Sequence, residues 1–206
     1  WMNGRLASYF ALTKPGVVIL LQITGICSVI AHDLLEAGGL DVNTARTISV
    51  VLVGGFLTAG GANSINMWYD RDIDPLMART ANRPIPAGKI EPLSALIFGI
   101  LMSLIGTLWL YVMANSVAAF WASFSVMFYV FVYSIWLKRT SPQNIVIGGI
   151  AGSTPPLVGW SASEQSLEIS TDSLQSIFES VTEIGSMMPW LMFLIIFLWT
   201  PPHFWA

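Results

Sequence analysis

Three polar residues, Asn66, Asp70 and Asp74, recur at intervals of four within the stretch NMWYDRDID. In an α-helix, residues four apart share a face and lie about 6 Å apart along the axis. We therefore expect these side chains to project together, with Asp72 pointing away. Two carboxylates and an amide oxygen are ligands suited to Mg²⁺, which also takes waters and substrate phosphates. The spacing predicts a metal–diphosphate site; a solvated helix end with surface acids is the alternative.

Basic residues follow the acidic stretch in two groups. Arg79, Arg83 and Lys89 lie within RTANRPIPAGK, and Lys138 and Arg139 end a later apolar run. Arginine forks match phosphate oxygens in pairs, so these cations could balance a metal-bound diphosphate. Lys138 and Arg139 could equally hold another anionic substrate or anchor a helix at the membrane surface. The alternative for both groups is a purely topological role.

His203 lies in the apolar segment TPPHFW. A histidine is costly in such a segment, which makes it a functional candidate by default, and neutral histidine is a common ligand of haem iron. A hydrogen-bonded histidine at a kinked helix is the alternative. His32 and Cys27 have no supporting context, and we interpret both as structural.

Composition decides the class of protein. The 206 residues are 54% hydrophobic and 10% charged, with a net charge of −3, whereas a soluble domain carries about 25% charged residues. This excludes a soluble enzyme, a disordered chain and a nucleic-acid binder. Apolar runs at the length of a membrane span predict an all-α, polytopic transmembrane helix bundle in one domain, 1–206. About six spans are expected: 16–31, 47–68, 92–114, 117–137, 145–160 and one from 187.

Two features refine the later spans. Gly148 and Gly152 have the spacing that allows close helix contact, and Pro155 and Pro156 are expected to break or kink the fifth span. The sixth span stops at Ala206, so we expect an incomplete domain truncated at its C-terminus.

The charges orient the bundle. Eight of the nine basic residues fall on one side of the predicted membrane, and the other side has only Arg46 together with eight acids. The positive-inside rule then places the N-terminus and the aspartate motif in the cytoplasm. We expect a bacterial inner membrane, although an organelle matrix would fit the same rule. Residues 161–186 form an acidic extracytoplasmic loop, with a helical apolar pattern that suggests an interfacial helix.

The stretches NMWYDRDIDPLMARTANRPIPAG, LKRTSPQNIVIGGIAGSTPPLVGW and LIIFLWTPPHFWA, with KPGVV near the start, resemble the UbiA superfamily of intramembrane prenyltransferases. The second and third stretches resemble the branch that transfers a farnesyl group to haem. The resemblance covers nearly the whole chain except residues 161–186, which are longer and more acidic than the family pattern.

The resemblance implies an activity and its partners. Farnesyl diphosphate and haem B would give haem O and diphosphate, with Mg²⁺ as cofactor, in the lipid bilayer and without nucleic acid. Haem A synthase or terminal oxidase assembly factors would be protein partners. Asn66, Asp70 and Asp74 would hold Mg²⁺–diphosphate, and His203 would contact haem. The candidates for diphosphate or haem propionates are Arg79, Arg83, Lys138 and Arg139.

The resemblance also implies a second acidic motif beyond Ala206, so we expect the activity of a full-length protein rather than of these residues alone. One alternative is a UbiA-type enzyme acting on an aromatic quinone precursor. Two others are a transporter with an acidic mouth and a non-catalytic membrane assembly subunit. A transporter predicts repeat symmetry and charges near mid-membrane, whereas these charges cluster at one face.

Overall fold

The computed structural model describes residues 2–205, with side chains from residue 4, and this part of the chain is built from helices, turns and loops. The all-α prediction is confirmed. A π-helical segment, Phe128–Leu137, joins α5 to α6. The α-helices are α1 Met2–Leu12, α2 Pro15–Leu35, α3 Val42–Tyr69, α4 Pro92–Met113, α5 Ser116–Met127, α6 Lys138–Thr140, α7 Asn144–Ser153, α8 Pro155–Ser163, α9 Leu174–Thr182 and α10 Met188–Trp205.

Four continuous helices are long and apolar enough to cross a membrane: Pro15–Leu35, Val42–Asp72, Pro92–Met113 and Ser116–Thr140. They correspond to the first four predicted spans. The fifth is divided into α7 and α8 at Thr154, directly before the two prolines, as expected. The sixth corresponds to α10, which contains Pro201 and Pro202. The bundle therefore has four long spans, one broken span and α10.

Glycines let neighbouring helices approach closely. A β-carbon on Gly61 of α3 would lie 2.6 Å from the carbonyl oxygen of Gly99 on α4. One on Gly159 of α8 would lie 2.3 Å from the carbonyl oxygen of Gly25 on α2. Because lipid tails are as apolar as leucine, helices in a membrane associate largely through such close packing. These contacts fix α3 against α4 and α2 against α8.

The bundle has a basic end and an acidic end, because consecutive long helices alternate in direction. At the acidic end, Asn115 Nδ2 donates to the carbonyl oxygens of Ser161 and Glu164, at 2.5 and 3.0 Å. His32 Nδ1 lies 2.8 Å from Asp33 Oδ1 at the same end. The starts of α2 and α4 and the ends of α3 and α6 form the basic end.

Residues 164–186 cover part of the acidic end and contain the expected helix, α9. Trp121 Nε1 donates to the Val181 carbonyl at 3.0 Å, and Trp190 Nε1 donates to the Thr182 carbonyl at 3.1 Å. Val181 is buried, whereas Leu174 at the start of α9 is exposed. Two tryptophans thus tie the end of α9 to the bundle.

Candidate active site

The aspartate motif lies where α3 ends, and its backbone differs from the predicted helix. The α-helix stops at Tyr69, and the chain continues through two 3₁₀ turns, Asp70–Asp72 and Asp74–Leu76. Helical spacing therefore holds from Asn66 to Asp70 but not on to Asp74, so the prediction of one continuous helical face was wrong. A proline after Asp74 disfavours helical backbone at that position.

The side chains are nonetheless placed as the motif suggested. Asp70 and Asp74 are both 0% exposed, whereas the Asp72 side chain is 56% exposed and faces outward. Asn66 is buried beside Asp70, and its Nδ2 donates to Asp70 Oδ2 at 3.0 Å. The turns bring two buried carboxylates and one buried amide to the basic end.

Lysines from two other helix ends reach this group. Lys14 Nζ donates to Asn66 Oδ1 at 2.7 Å. Lys138 Nζ donates to Asp70 Oδ2, forming an ion pair. Ser134 Oγ accepts from Asn66 Nδ2 at 3.0 Å. Charge-assisted hydrogen bonds of this kind are stronger than neutral ones, so the group is rigidly held.

Arg83 provides the third cation. Its Nη1 donates to both Asp74 carboxylate oxygens, each at 2.8 Å. Thr80 folds back the loop between Asp74 and Arg83, because its Oγ1 donates to the Asp74 carbonyl oxygen at 2.7 Å. Gly88, at φ 68°, turns the chain back towards α4, a conformation that glycine adopts without steric cost.

Lys14 is the site residue that the sequence interpretation missed, since it was assigned only a topological role. It lies in the left-handed region, at φ 51° and ψ 63°, directly before α2. A side chain other than glycine is uncommon there, and such strain concentrates at functional sites. Burial, with the nearby charges of Arg83 and Lys138, lowers the pKa of Lys14 to about 7. The sequence feature that could have identified Lys14 is its position at the start of a helix, on the same side of the predicted membrane as Asp70 and Asp74.

The other predicted cations lie further out. Arg139 donates from Nη2 and Nη1 to the two Asp72 oxygens, at 2.7 and 2.8 Å. Its guanidinium also lies 4.4 Å from the centre of the Tyr69 ring. Arg79 is exposed. The structure thus brings Arg83 and Lys138 to the buried acids and leaves Arg79 and Arg139 outside them.

A cavity of about 490 Å³ lies inside the bundle next to the charged group. Tyr129 and Tyr133 form part of its wall, with stacked rings 5.3 Å apart. Tyr129 Oη donates to Asn63 Oδ1 at 3.4 Å, one turn below Asn66 on α3. The remaining lining is mostly apolar and comes from α2, α3, α5, α7, α8 and α10.

His203 lines the same cavity from α10. Its ring stacks on Trp199, with centroids 4.2 Å apart and planes 17° apart. On α7, which packs against α10, Gly148 contacts the Tyr133 ring closely, whereas a β-carbon on Gly152 would have no atom within 4 Å. We predicted that Gly148 and Gly152 would both allow close helix contact. Gly148 does make a close contact, whereas Gly152 borders open space.

The donor set fits a hard cation. The part of the chain that the structure describes has no cluster of three His, Cys, Asp or Glu side chains able to hold a metal. Asn66, Asp70 and Asp74 supply only two carboxylates, with an amide as the third group. Asp70 Oδ1 is buried without a hydrogen-bond partner among the described residues. Mg²⁺ is typically bound by one or two carboxylates, with phosphates and waters completing its shell, so these residues suit it.

Comparisons with known proteins identify the family of the chain. The model of the UbiA prenyltransferase family matches residues 25–206. Proteins named protoheme IX farnesyltransferase are similar over nearly the whole chain. That of Symbiobacterium thermophilum is 46% identical over 201 residues, 96% of this chain and 58% of the relative. That of Gluconacetobacter diazotrophicus is 44% identical over 198 residues, 96% of this chain and 55% of the relative.

The protein of Acidiphilium cryptum, with the same name, is 42% identical over 205 residues, 100% of this chain and 57% of the relative. The chain thus spans somewhat more than half the length of the curated relatives it matches. No solved structure matches it significantly. Because the family match covers most of the residues and includes the aspartate motif, the chain belongs to the UbiA prenyltransferase family.

Proposed function

We propose that the full-length protein transfers the farnesyl group of farnesyl diphosphate to a vinyl group of haem B, giving haem O and diphosphate. The observation that carries this proposal is the buried Asp70 and Asp74 pair, surrounded by three cations, beside an apolar cavity of about 490 Å³. The relatives named protoheme IX farnesyltransferase support the choice of substrates.

Asn66, Asp70 and Asp74 would hold Mg²⁺. Bound there, the ion would neutralise charge on the diphosphate leaving group. The free, buried Asp70 Oδ1 is the atom of this chain best placed to accept it.

Lys14, Arg83 and Lys138 would donate to diphosphate oxygens. Donors fixed in advance at a site of growing negative charge stabilise a transition state strongly, because they need no reorganisation during the reaction. Arg79 and Arg139 lie outside this group and would contact the propionates of haem, Arg139 by exchanging its Asp72 partner for a propionate.

The cavity would hold the farnesyl chain and exclude stray water from the allylic cation. The rings of Tyr129 and Tyr133 line it next to the charged group, and an aromatic face attracts a cation. His203, on the α10 side of the cavity, would contact the haem. The vinyl carbon would attack the allylic cation left when the C–O bond to diphosphate breaks, which moves the positive charge to the adjacent carbon on the haem side. Water would then add to that carbon and lose a proton, giving the hydroxyethyl group.

The cellular setting belongs to the same proposal. The N-terminus and the basic end would face the cytoplasm at a bacterial inner membrane, and residues 161–186 would form an acidic loop outside. The haem product would pass to haem A synthase or to terminal oxidase assembly factors.

The test is to incubate the full-length protein in lipid nanodiscs with haem B, farnesyl diphosphate and Mg²⁺, and to seek farnesylated haem by mass spectrometry. Product that requires Mg²⁺ would support the proposal. Prenylation of an aromatic acid instead of haem would redirect it to another UbiA-type reaction. No prenyl transfer by well-folded protein would favour a transporter or an assembly subunit.

A further inference from the structure

Each side chain proposed to hold the metal is paired with its own cation. Two of the pairs join parts of the chain that are 52 and 68 residues apart, whereas the third lies within one loop, nine residues apart. They are Lys14 with Asn66, Lys138 with Asp70, and Arg83 with Asp74.

Burial gives these pairs their energetic weight. Asp70 and Asp74 are 0% exposed, whereas the Lys138 and Arg83 side chains are 25% and 23% exposed. A buried charge that loses its partner is strongly destabilised. A metal ion entering alone could gain a second carboxylate only by displacing a cation, and it would lie among these cations without compensation.

The summed charge points the same way. The two carboxylates are already paired with Arg83 and Lys138, and Lys14 adds a further donor through Asn66, so the group has no unbalanced negative charge. A divalent cation alone adds positive charge to this group. A diphosphate alone brings several negative charges beside two buried carboxylates. The two together carry a small net charge, which the group can accept.

We infer that the three cations occupy the metal's place until metal and diphosphate arrive together, and then exchange the acids for phosphate oxygens. The inference rests on the proposed function of this site, which it deepens. Asp70 Oδ1, already without a partner, is the first atom that a metal can reach without displacing a cation. Removing one cation should consequently strengthen binding of the metal alone and weaken binding of diphosphate.

The experiment measures binding rather than turnover. Mn²⁺, which is visible by electron paramagnetic resonance, is titrated into the full-length protein in nanodiscs, and inorganic pyrophosphate is titrated separately by calorimetry. Lys138→Met is expected to bind Mn²⁺ alone about tenfold more tightly than the parent and pyrophosphate about tenfold more weakly. Arg5→Gln, which removes an exposed cation from α1, is the matched control and should change neither affinity.

Lys14→Met provides a second variant if Lys138→Met does not fold, because it frees Asn66 Oδ1 without unpairing a buried carboxylate. Unchanged or weaker Mn²⁺ binding in the folded variants would overturn the inference. The experiment separates failure of this inference from failure of the proposed function. If only the proposed function fails, the affinities for Mn²⁺ and pyrophosphate still shift in opposite directions, but the protein forms no farnesylated haem.

Discussion

Gly148 lies so close to Tyr133 that a β-carbon at position 148 would be 2.3 Å from the ring carbon Cδ2. The glycine lets the tyrosine ring lie flat against α7, at the cavity wall. The shape of the cavity therefore depends on the absence of a single methyl group.

Gly148→Ala is expected to push the Tyr133 ring into the cavity. Overpacking of this kind costs about 1–3 kcal/mol, so we expect lower thermal stability and a higher KM for farnesyl diphosphate. Gly152→Ala on the same helix should change neither, because its β-carbon would enter open space. Equal effects of the two substitutions, in melting and steady-state measurements, would contradict this account of the wall.

Asp70→Asn and Asp74→Asn should each reduce prenyl transfer about 100-fold or more, because both remove charge from the buried group that faces the diphosphate. Asp72→Asn is the matched control within the motif. Its carboxylate is exposed and pairs with Arg139, and a surface ion pair of this kind contributes little because water screens it. Near-normal activity is expected for this control, measured as haem product per minute; a loss as large as that of Asp70→Asn would count against the site.

Lys14→Met should raise the KM for farnesyl diphosphate about tenfold with a smaller effect on KM for haem, because the lysine belongs to the diphosphate side of the cavity. Lys14→Arg should restore part of the loss. Steady-state kinetics with each substrate varied in turn would check this; an equal rise in both KM values would instead indicate a general structural role.

His203→Ala should weaken haem binding while leaving Mn²⁺ and pyrophosphate binding unchanged, since His203 lines the cavity from α10 away from the buried acids. The Soret band of added haem B provides the measurement. His203→Phe keeps an aromatic ring to stack on Trp199 and is the control for packing. An unaltered Soret titration in both variants would remove His203 from the haem contact.

The acidic end should loosen at low pH. The Ser166 hydroxyl, at 2.6 Å from Glu164 Oε1, and the Ser166 backbone N–H donate to this carboxylate and keep the pKa of Glu164 below its ordinary value of 4.5. A lowered carboxylate pKa contributes stability above the unfolded value and loses it as pH falls through the folded value. The protection factors of the backbone amides of residues 164–173 against hydrogen exchange should thus fall below pH 4.5, and Glu164→Gln should remove much of that change.

The sequence was sufficient for the architecture and for part of the site. Apolar runs located the long helices, and Pro155 and Pro156 located the break between α7 and α8. These features are local, so periodicity and composition reveal them. Asn66 and Asp70 were also placed correctly, because both lie at the end of one helix, four residues apart.

The remainder depends on contacts distant in sequence. Lys14 lies 52 residues from Asn66 and takes a left-handed backbone that no local pattern indicated. The 3₁₀ turns after Tyr69 changed the geometry of Asp74, although its burial agreed with expectation. Tertiary packing decides which basic residues reach the buried acids. It brings Lys138 to Asp70 and leaves the neighbouring Arg139 outside the buried group.

The π-helical segment Phe128–Leu137 affects the site by changing the rotational position of the residues that follow it. Its wider turns hydrogen-bond at a spacing of five residues, as where the Lys138 backbone N–H donates to the Tyr133 carbonyl. Every residue after the segment is therefore rotated about the helix axis relative to an ordinary α-helix of the same sequence. Lys138 meets Asp70 in this rotated frame, so a span of the same hydrophobicity and length with ordinary α-helical turns would present the lysine at a different angle to the buried acids.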